Sequence, residues 1–123
     1  MKLYQSAEDY LETILKLHGK TGAVRSIDIV NELGYSKPSV SVAMKKLRES
    51  GYIKMDADGF ITLTELGLEA ASKVYARHQI LTRFLVDLGV SEEVAAEDAC
   101  RMEHHISEET FEKIKQKIES GEG

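Results

Sequence analysis

The sequence has one cysteine and no long apolar run. Because Cys100 is alone, it cannot form an internal disulfide, which agrees with a reducing compartment and leaves it as a thiol or a metal ligand. No segment approaches the roughly 18 apolar residues of a membrane span, and the first residues lack the apolar core of a secretory signal. These absences predict a cytoplasmic protein without a membrane partner.

Other absences bear on catalysis and on the number of domains. The sequence shows no internal repeat, no convincing nucleophile and no glycine-rich loop, which disfavours a small metal-dependent hydrolase. Its 123 residues can bury one core or two small cores. What is present is a composition, 42% apolar and 30% charged, that is typical of a globular protein rich in helix formers. Because no convincing nucleophile or glycine-rich loop accompanies it, we expect a protein that is not an enzyme.

The net charge of −5 is unevenly distributed. Residues 1–63 carry nine Lys or Arg against eight Asp or Glu, whereas residues 64–123 carry seven against thirteen. Residues 36–54 alone carry five basic side chains and one acidic one, a local charge of +4 that suits contact with phosphate. A solvated basic helix face is the alternative interpretation.

Residues 1–63 have the pattern of a winged helix-turn-helix. A first helix beginning near Ser6 is followed by a short helix with Ser26 as its cap, and then by a helix with Ser36 or Lys37 as its cap. The apolar stripe of this third helix is Val40, Met44 and Leu47. The next stretch, "YIKMDADGFITLT", predicts two short strands around an Asp-Gly turn, and a helix-turn-helix followed by a hairpin is typical of a DNA-binding domain.

Residues 64–123 predict a helical domain, so the fold is expected to be mostly α. Thr64 caps a long helix that ends near Gly89, and Ser91 caps a helix expected to run through His105. Ser107 starts the last helix. The long helix has a sustained apolar seam, formed by Ala71, Val74, His78, Leu81, Leu85 and Leu88.

Three of these helices offer metal-ligating side chains. Cys100, Glu103 and His104 have the i, i+3, i+4 spacing of one helix face, and thiolate, carboxylate and imidazole all bind first-row transition metals. Asp9 and Glu12 share the i, i+3 spacing on the first helix, and His78 interrupts the apolar seam. Taken singly, each residue has an ordinary structural interpretation. Asp9 and Glu12 would be charges favoured by the helix dipole, and His78 a core histidine. Cys100 would be a small buried thiol, and Glu103 and His104 surface residues. Their convergence favours a bound cation, because burying uncompensated ionisable groups costs several kcal/mol each.

The third helix and its surroundings supply the candidate DNA contacts. Hydroxyl and amine groups near the start of a recognition helix can reach base edges, and basic side chains farther along it can hold phosphates. Two aspartates at the hairpin tip make insertion of this wing into a minor groove doubtful. The expected DNA-binding residues are Arg25, Ser36, Lys37, Ser39, Ser41, Lys45 and Lys46.

The stretches "SAEDYLETI", "YARHQILTRFL" and "ACRMEHHIS", together with the winged helix, resemble the diphtheria toxin repressor and manganese transport regulator family of metal-dependent transcriptional regulators. The resemblance implies a homodimer that binds a palindromic operator in double-stranded DNA and is activated by Fe²⁺ or Mn²⁺. It also implies a metal site formed by Asp9, Glu12, His78, Cys100, Glu103 and His104. In this interpretation metal binding fixes the dimer in an operator-competent geometry.

The chain departs from both branches of that family. It resembles the manganese-sensing branch at Asp9 and Glu12, and we expect it to share that branch's lack of an additional C-terminal domain, but that branch has Glu at the position of Cys100. The iron-sensing branch matches at Cys100, but its ancillary site uses ligands where this chain has Thr82 and Ala96. The thiol narrowly favours Fe²⁺ over Mn²⁺, and Zn²⁺, Co²⁺ or Ni²⁺ would also bind in vitro. A metal-independent winged-helix regulator that responds to a small molecule is the alternative function.

Overall fold

The computed structural model describes residues 5–121, and in this range the chain forms six helices and one two-stranded antiparallel sheet. The mostly helical fold with one small hairpin is therefore confirmed. No helix in the described range is long and apolar enough to cross a membrane. In chain order the elements are α1 (Gln5–Thr21), α2 (Ser26–Leu33), α3 (Lys37–Glu49), β1 (Ile53–Met55), β2 (Ile61–Leu63), α4 (Glu65–Asp87), α5 (Glu92–Met102) and α6 (Glu108–Glu119).

The chain divides into two compact units, an N-terminal unit up to Ser72 and a C-terminal unit from Lys73. The division falls inside α4, because Ala70 and Ala71 near the start of that helix pack into the N-terminal core. The sequence predicted a boundary between residues 63 and 64, where the hairpin ends. That boundary, between a DNA-binding domain and a metal-binding and dimerisation domain, stays a prediction.

In the N-terminal unit, α2 and α3 form the expected helix-turn-helix. The stripe of Val40, Met44 and Leu47 is buried, as predicted from its spacing. Ser36 caps α3, since its side-chain oxygen accepts a hydrogen bond from the backbone N–H of Ser39 at 3.2 Å. The prediction that Ser26 caps α2 was wrong.

Arg25 occupies the cap position of α2 in place of Ser26. The carboxylate of Asp28, in the first turn of the helix, accepts a hydrogen bond from the backbone N–H of Arg25 at 2.9 Å. The backbone N–H of Asp28 in turn donates to the carbonyl of Arg25 at 3.0 Å, and with these two bonds α2 starts one residue earlier than predicted. This arrangement also places the Arg25 side chain at the entrance to the helix-turn-helix.

The hairpin wing pairs Ile53 with Leu63 and Met55 with Ile61. Its turn is held by Asp56, whose Oδ1 accepts hydrogen bonds from the backbone N–H groups of Asp58 and Phe60, both at 2.9 Å. Asp56 is therefore engaged within the turn, which gives a structural reason for an acidic residue at the wing tip.

The C-terminal unit packs α4, α5 and α6 around Leu81, Ala99 and Phe111. Ser91 and Ser107 cap α5 and α6 as predicted. Leu88 was expected in the buried seam of α4 but is 64% exposed. Leu88 lies just beyond the last residue of α4, Asp87, so the seam is exposed at this end of the helix.

Candidate metal centre

A buried carboxylate lies between two imidazoles in the C-terminal unit. The Oε2 atom of Glu103 is 3.0 Å from Nδ1 of His78, and its Oε1 atom is 3.3 Å from Nε2 of His104. Glu103 is only 2% exposed. Within the C-terminal unit, the structure thus brings together three of the four expected ligands that this unit supplies.

The end of α5 determines the position of Glu103. The helix was expected to continue to His105 but ends at Met102, and the backbone N–H groups of His105 and Ile106 both donate to the carbonyl of Met102. Glu103 continues the buried stripe of Ala95 and Ala99 at a spacing of four residues. A carboxylate in a stripe of small buried residues is the sequence signal for this site.

Cys100 and His105 are exposed, unlike the buried Glu103. Cys100 follows Ala99 by one residue, so a helix directs its side chain about 100° away from the buried stripe. The shared face inferred from the i, i+3, i+4 spacing is therefore not a uniformly buried face. Metal ligation by Cys100 stays a prediction.

His78 lies on α4 between the buried Val74 and Leu81. Its side chain is 18% exposed, and its backbone carbonyl accepts a hydrogen bond from the hydroxyl of Thr82 at 2.7 Å. The hydroxyl of Thr82 is therefore used within the helix, where a side-chain hydroxyl commonly bonds the carbonyl four residues earlier.

The donor set fits a divalent first-row cation. Two imidazole nitrogens and a carboxylate suit iron, manganese or zinc. Two ligands on bonds of about 2.1 Å at right angles are about 3.0 Å apart, close to the separation of His78 Nδ1 and Glu103 Oε2. Without a cation, Nδ1 of His78 and Oε2 of Glu103 form a histidine–carboxylate hydrogen bond, so the geometry of this pair is compatible with both states.

Arg77 supports this centre, although its residue type and spacing did not predict such a role. Its Nη2 atom donates a hydrogen bond to the backbone carbonyl of Ile106 at 3.3 Å, and its guanidinium lies 4.8 Å from the centre of the Phe111 ring. Arg77 thereby connects α4 to α6 and to the turn that contains Glu103 and His104. Its position directly before His78 is the only signal that the sequence offered.

The two remaining candidate ligands lie on α1 of the N-terminal unit. Glu12 is 5% exposed, and its Oε2 atom is 3.9 Å from Nζ of Lys16. Asp9 is half-buried beside Tyr10. Burial, with smaller contributions from Tyr35 and Asp9, raises the pKa of Tyr10 above its ordinary value of 10.0. A role for Asp9 and Glu12 as ligands stays a prediction.

All of the expected DNA-binding side chains are exposed on the N-terminal unit. The hydroxyl of Ser36 donates to that of Ser39 at 2.8 Å, so these two serines also serve the start of α3. The Arg25 guanidinium lies 4.1 Å from the centre of the Phe60 ring, which restrains it beside the hairpin. The exposed residues are Arg25, Ser36, Lys37, Ser39, Ser41, Lys45 and Lys46.

Two family models match nearly the whole chain. Residues 2–59 match the N-terminal DNA-binding domain of the iron-dependent repressors, and residues 64–122 match their metal-binding and dimerisation domain. The second model covers the segment that contains His78, Glu103 and His104.

Individual relatives agree with these models. The chain is 42% identical over 105 residues to the transcriptional regulator MntR of Escherichia coli O6:H1, covering 85% of this chain and 68% of that protein. It is 37% identical over 113 residues to an uncharacterized HTH-type transcriptional regulator of Methanocaldococcus jannaschii, covering 90% of each.

A solved structure described as a manganese-dependent transcriptional repressor in complex with manganese superimposes with a TM-score of 0.84 at 30% identity. The superposition covers 91% of this chain and 52% of the other, so this chain spans about half the length of that repressor. The resemblance seen in the sequence is confirmed. The chain belongs to the iron-dependent repressor family of metal-dependent transcriptional regulators.

Proposed function

We propose that this chain is a cytoplasmic repressor that binds Fe²⁺ or Mn²⁺ through His78, Glu103 and His104 and thereby gains affinity for a palindromic operator. The contacts of Glu103 carry the proposal, because one buried carboxylate faces two imidazoles at 3.0 and 3.3 Å. Asp9, Glu12 and Cys100 complete the proposed ligand set. The protein acts by binding rather than by catalysis.

The effector is proposed to be a metal ion and not a small organic molecule. The matched metal-binding domain and the nitrogen and oxygen donors around Glu103 both support this choice. The name of the E. coli relative and the manganese-bound neighbour favour Mn²⁺, whereas a thiolate from Cys100 would favour Fe²⁺. Either ion is compatible with the two imidazoles and the carboxylate.

Charge compensation is the proposed activating step. A bound divalent cation supplies positive charge that offsets repulsion among the carboxylates of Asp9, Glu12 and Glu103. Because Asp9 and Glu12 lie on α1 of the DNA-binding unit, binding of the ion by these two carboxylates would make that unit respond to the metal. In a symmetric dimer the two copies of α3 would then contact half-sites centred about 34 Å apart, or a multiple of that spacing.

Operator binding under defined metal conditions tests this function. An operator is first selected from a random double-stranded DNA library with Mn²⁺ present. Fluorescence anisotropy then measures its affinity anaerobically with Fe²⁺, Mn²⁺, Zn²⁺ or chelator. We expect Fe²⁺ or Mn²⁺ to raise affinity about 5- to 150-fold over chelator, the usual range of allosteric coupling. Equal affinity in all four conditions would contradict the proposal.

The role of Cys100 requires a separate spectroscopic experiment. Co²⁺ bound by a thiolate produces a near-ultraviolet charge-transfer absorption that imidazole and carboxylate ligands do not produce. The wild-type protein with Co²⁺ should show this band, and Cys100→Ser should lack it while still binding the ion. A wild-type spectrum without the band would remove Cys100 from the ligand set and leave the site of Glu103 intact.

A further inference from the structure

One large apolar side chain lies at the centre of the exposed face of α3. Val42 is 54% exposed, and the exposed residues three or four positions away from it are Pro38, Ser39, Lys45 and Lys46. At about 100° per residue, Val42 lies about 200° around the helix from the buried Val40. It therefore points away from the core of its own unit.

The neighbours of Val42 on this face are the residues expected to contact DNA. Ser39 precedes it by three residues, and Lys45 and Lys46 follow it by three and four, so all four share one helix surface. All three of these neighbours are exposed. The excess of basic residues between 36 and 54 gives this surface the charge that complements a phosphate backbone.

The chemistry of valine restricts what it can recognise in a groove. It has no hydrogen-bonding group, so among the groups on base edges in the major groove it suits the C5-methyl of thymine. Its β-branched side chain also loses little rotamer freedom on contact. The lysines around it are able to hold the adjacent phosphates at the same time.

We propose that Val42 determines part of the operator sequence by packing against the C5-methyl group of a thymine in each half-site. The inference rests on the proposed function, because it takes α3 as the helix that enters the major groove. Val42 adds sequence preference, whereas Lys45 and Lys46 add affinity that does not depend on sequence.

Replacing thymine by uracil tests this contact, because uracil lacks only the methyl group. In the operator selected with wild-type protein and Mn²⁺, each thymine is changed to uracil in turn, symmetrically in both half-sites. Anisotropy should show about 3- to 10-fold weaker wild-type binding at one position. The Val42→Ala protein should bind the thymine and uracil operators equally at that position.

Val94→Ala is the matched control, since Val94 is 47% exposed but lies on α5 of the other unit. The ratio of its affinities for the thymine and uracil operators should equal that of the wild type. The inference is overturned if no thymine shows a methyl effect in the wild type, or if Val42→Ala keeps that effect. Metal-dependent binding without any methyl effect would overturn this inference alone, whereas loss of all metal-dependent binding would overturn the proposed function.

Discussion

His78 and Glu103 are 25 positions apart in the chain, yet their side chains meet at 3.0 Å in the C-terminal unit. The pair joins the middle of α4 to the turn that follows α5. The second oxygen of the same carboxylate lies 3.3 Å from Nε2 of His104, so Glu103 faces two imidazoles at once. The candidate centre therefore depends on Glu103 more than on any other residue of this unit.

Replacing Glu103 by glutamine tests this dependence. The amide keeps the size of the side chain but removes the negative charge and one acceptor, so we expect Mn²⁺ affinity to fall about 100-fold or more. Titration calorimetry under anaerobic conditions measures the change. Glu97→Gln is the control, because Glu97 is an exposed carboxylate on the same helix. Comparable metal binding by Glu103→Gln and wild type would show that the site lies elsewhere.

Arg77→Lys tests whether the hydrogen bond from Arg77 on α4 stabilises the turn that contains Glu103. Lysine keeps the charge but loses the planar group over Phe111 and the present hydrogen bond to the Ile106 carbonyl. We expect metal affinity to fall about 10-fold while the helical content measured by circular dichroism is unchanged. Arg83→Lys, at a largely exposed position on the same helix, should bind as the wild type does. An unaltered affinity in Arg77→Lys would mean that the turn holds its shape without this residue.

Gly67→Ala should destabilise the N-terminal unit. A Cβ atom at Gly67 would overlap the backbone carbonyl oxygen of Tyr52, and a backbone atom cannot move aside cheaply. We expect the free energy of unfolding in urea to fall by about 3 kcal/mol. Gly19→Ala is the matched control, because a Cβ there meets no atom within 4 Å and alanine favours the helix by up to about 1 kcal/mol. Equal stabilities of the two variants would argue against this close approach.

The raised pKa of Tyr10 predicts a loss of stability at alkaline pH. Above pH 10 the unfolded chain loses the phenolic proton while the folded chain retains it, so stability falls as the pH rises through the folded pKa. Urea denaturation between pH 9 and 12, values chosen as roughly bracketing the tyrosine pKa, should show a smaller loss for Tyr10→Phe than for the wild type. An equal loss in both proteins would contradict the assignment.

Tyr35→Phe provides a second check on the cause of this shift. The ring of Tyr35 meets that of Tyr10 edge-on, with the centroids 5.8 Å apart. Removing its hydroxyl should lower the pKa of Tyr10 in an absorbance titration but leave it elevated, because burial is the largest cause. A fall to the ordinary value would instead make the Tyr35 charge the main cause.

Much of the fold was predictable because its signals are local. The apolar spacing of Val40, Met44 and Leu47 indicates the buried face of α3 regardless of what packs on it. The serine caps at 36, 91 and 107 work through the backbone N–H groups of the first turn. The errors lay at the ends of elements. The hydrogen bond between Asp28 and Arg25 makes Arg25, not Ser26, the cap of α2, and a turn after Met102 ends α5 before His105.

The order of the helices, the hairpin and the residue types available to bind metal and DNA were all predictable from the chain, because they depend on periodicity, capping and chemical identity. The burial of Glu103 against His78 and His104, with Cys100 exposed, was not predictable from the chain, since helix packing selects which side of a short helix faces inward. The same packing decided that Arg77 reaches the Ile106 carbonyl, a contact across 29 positions that no local pattern encodes.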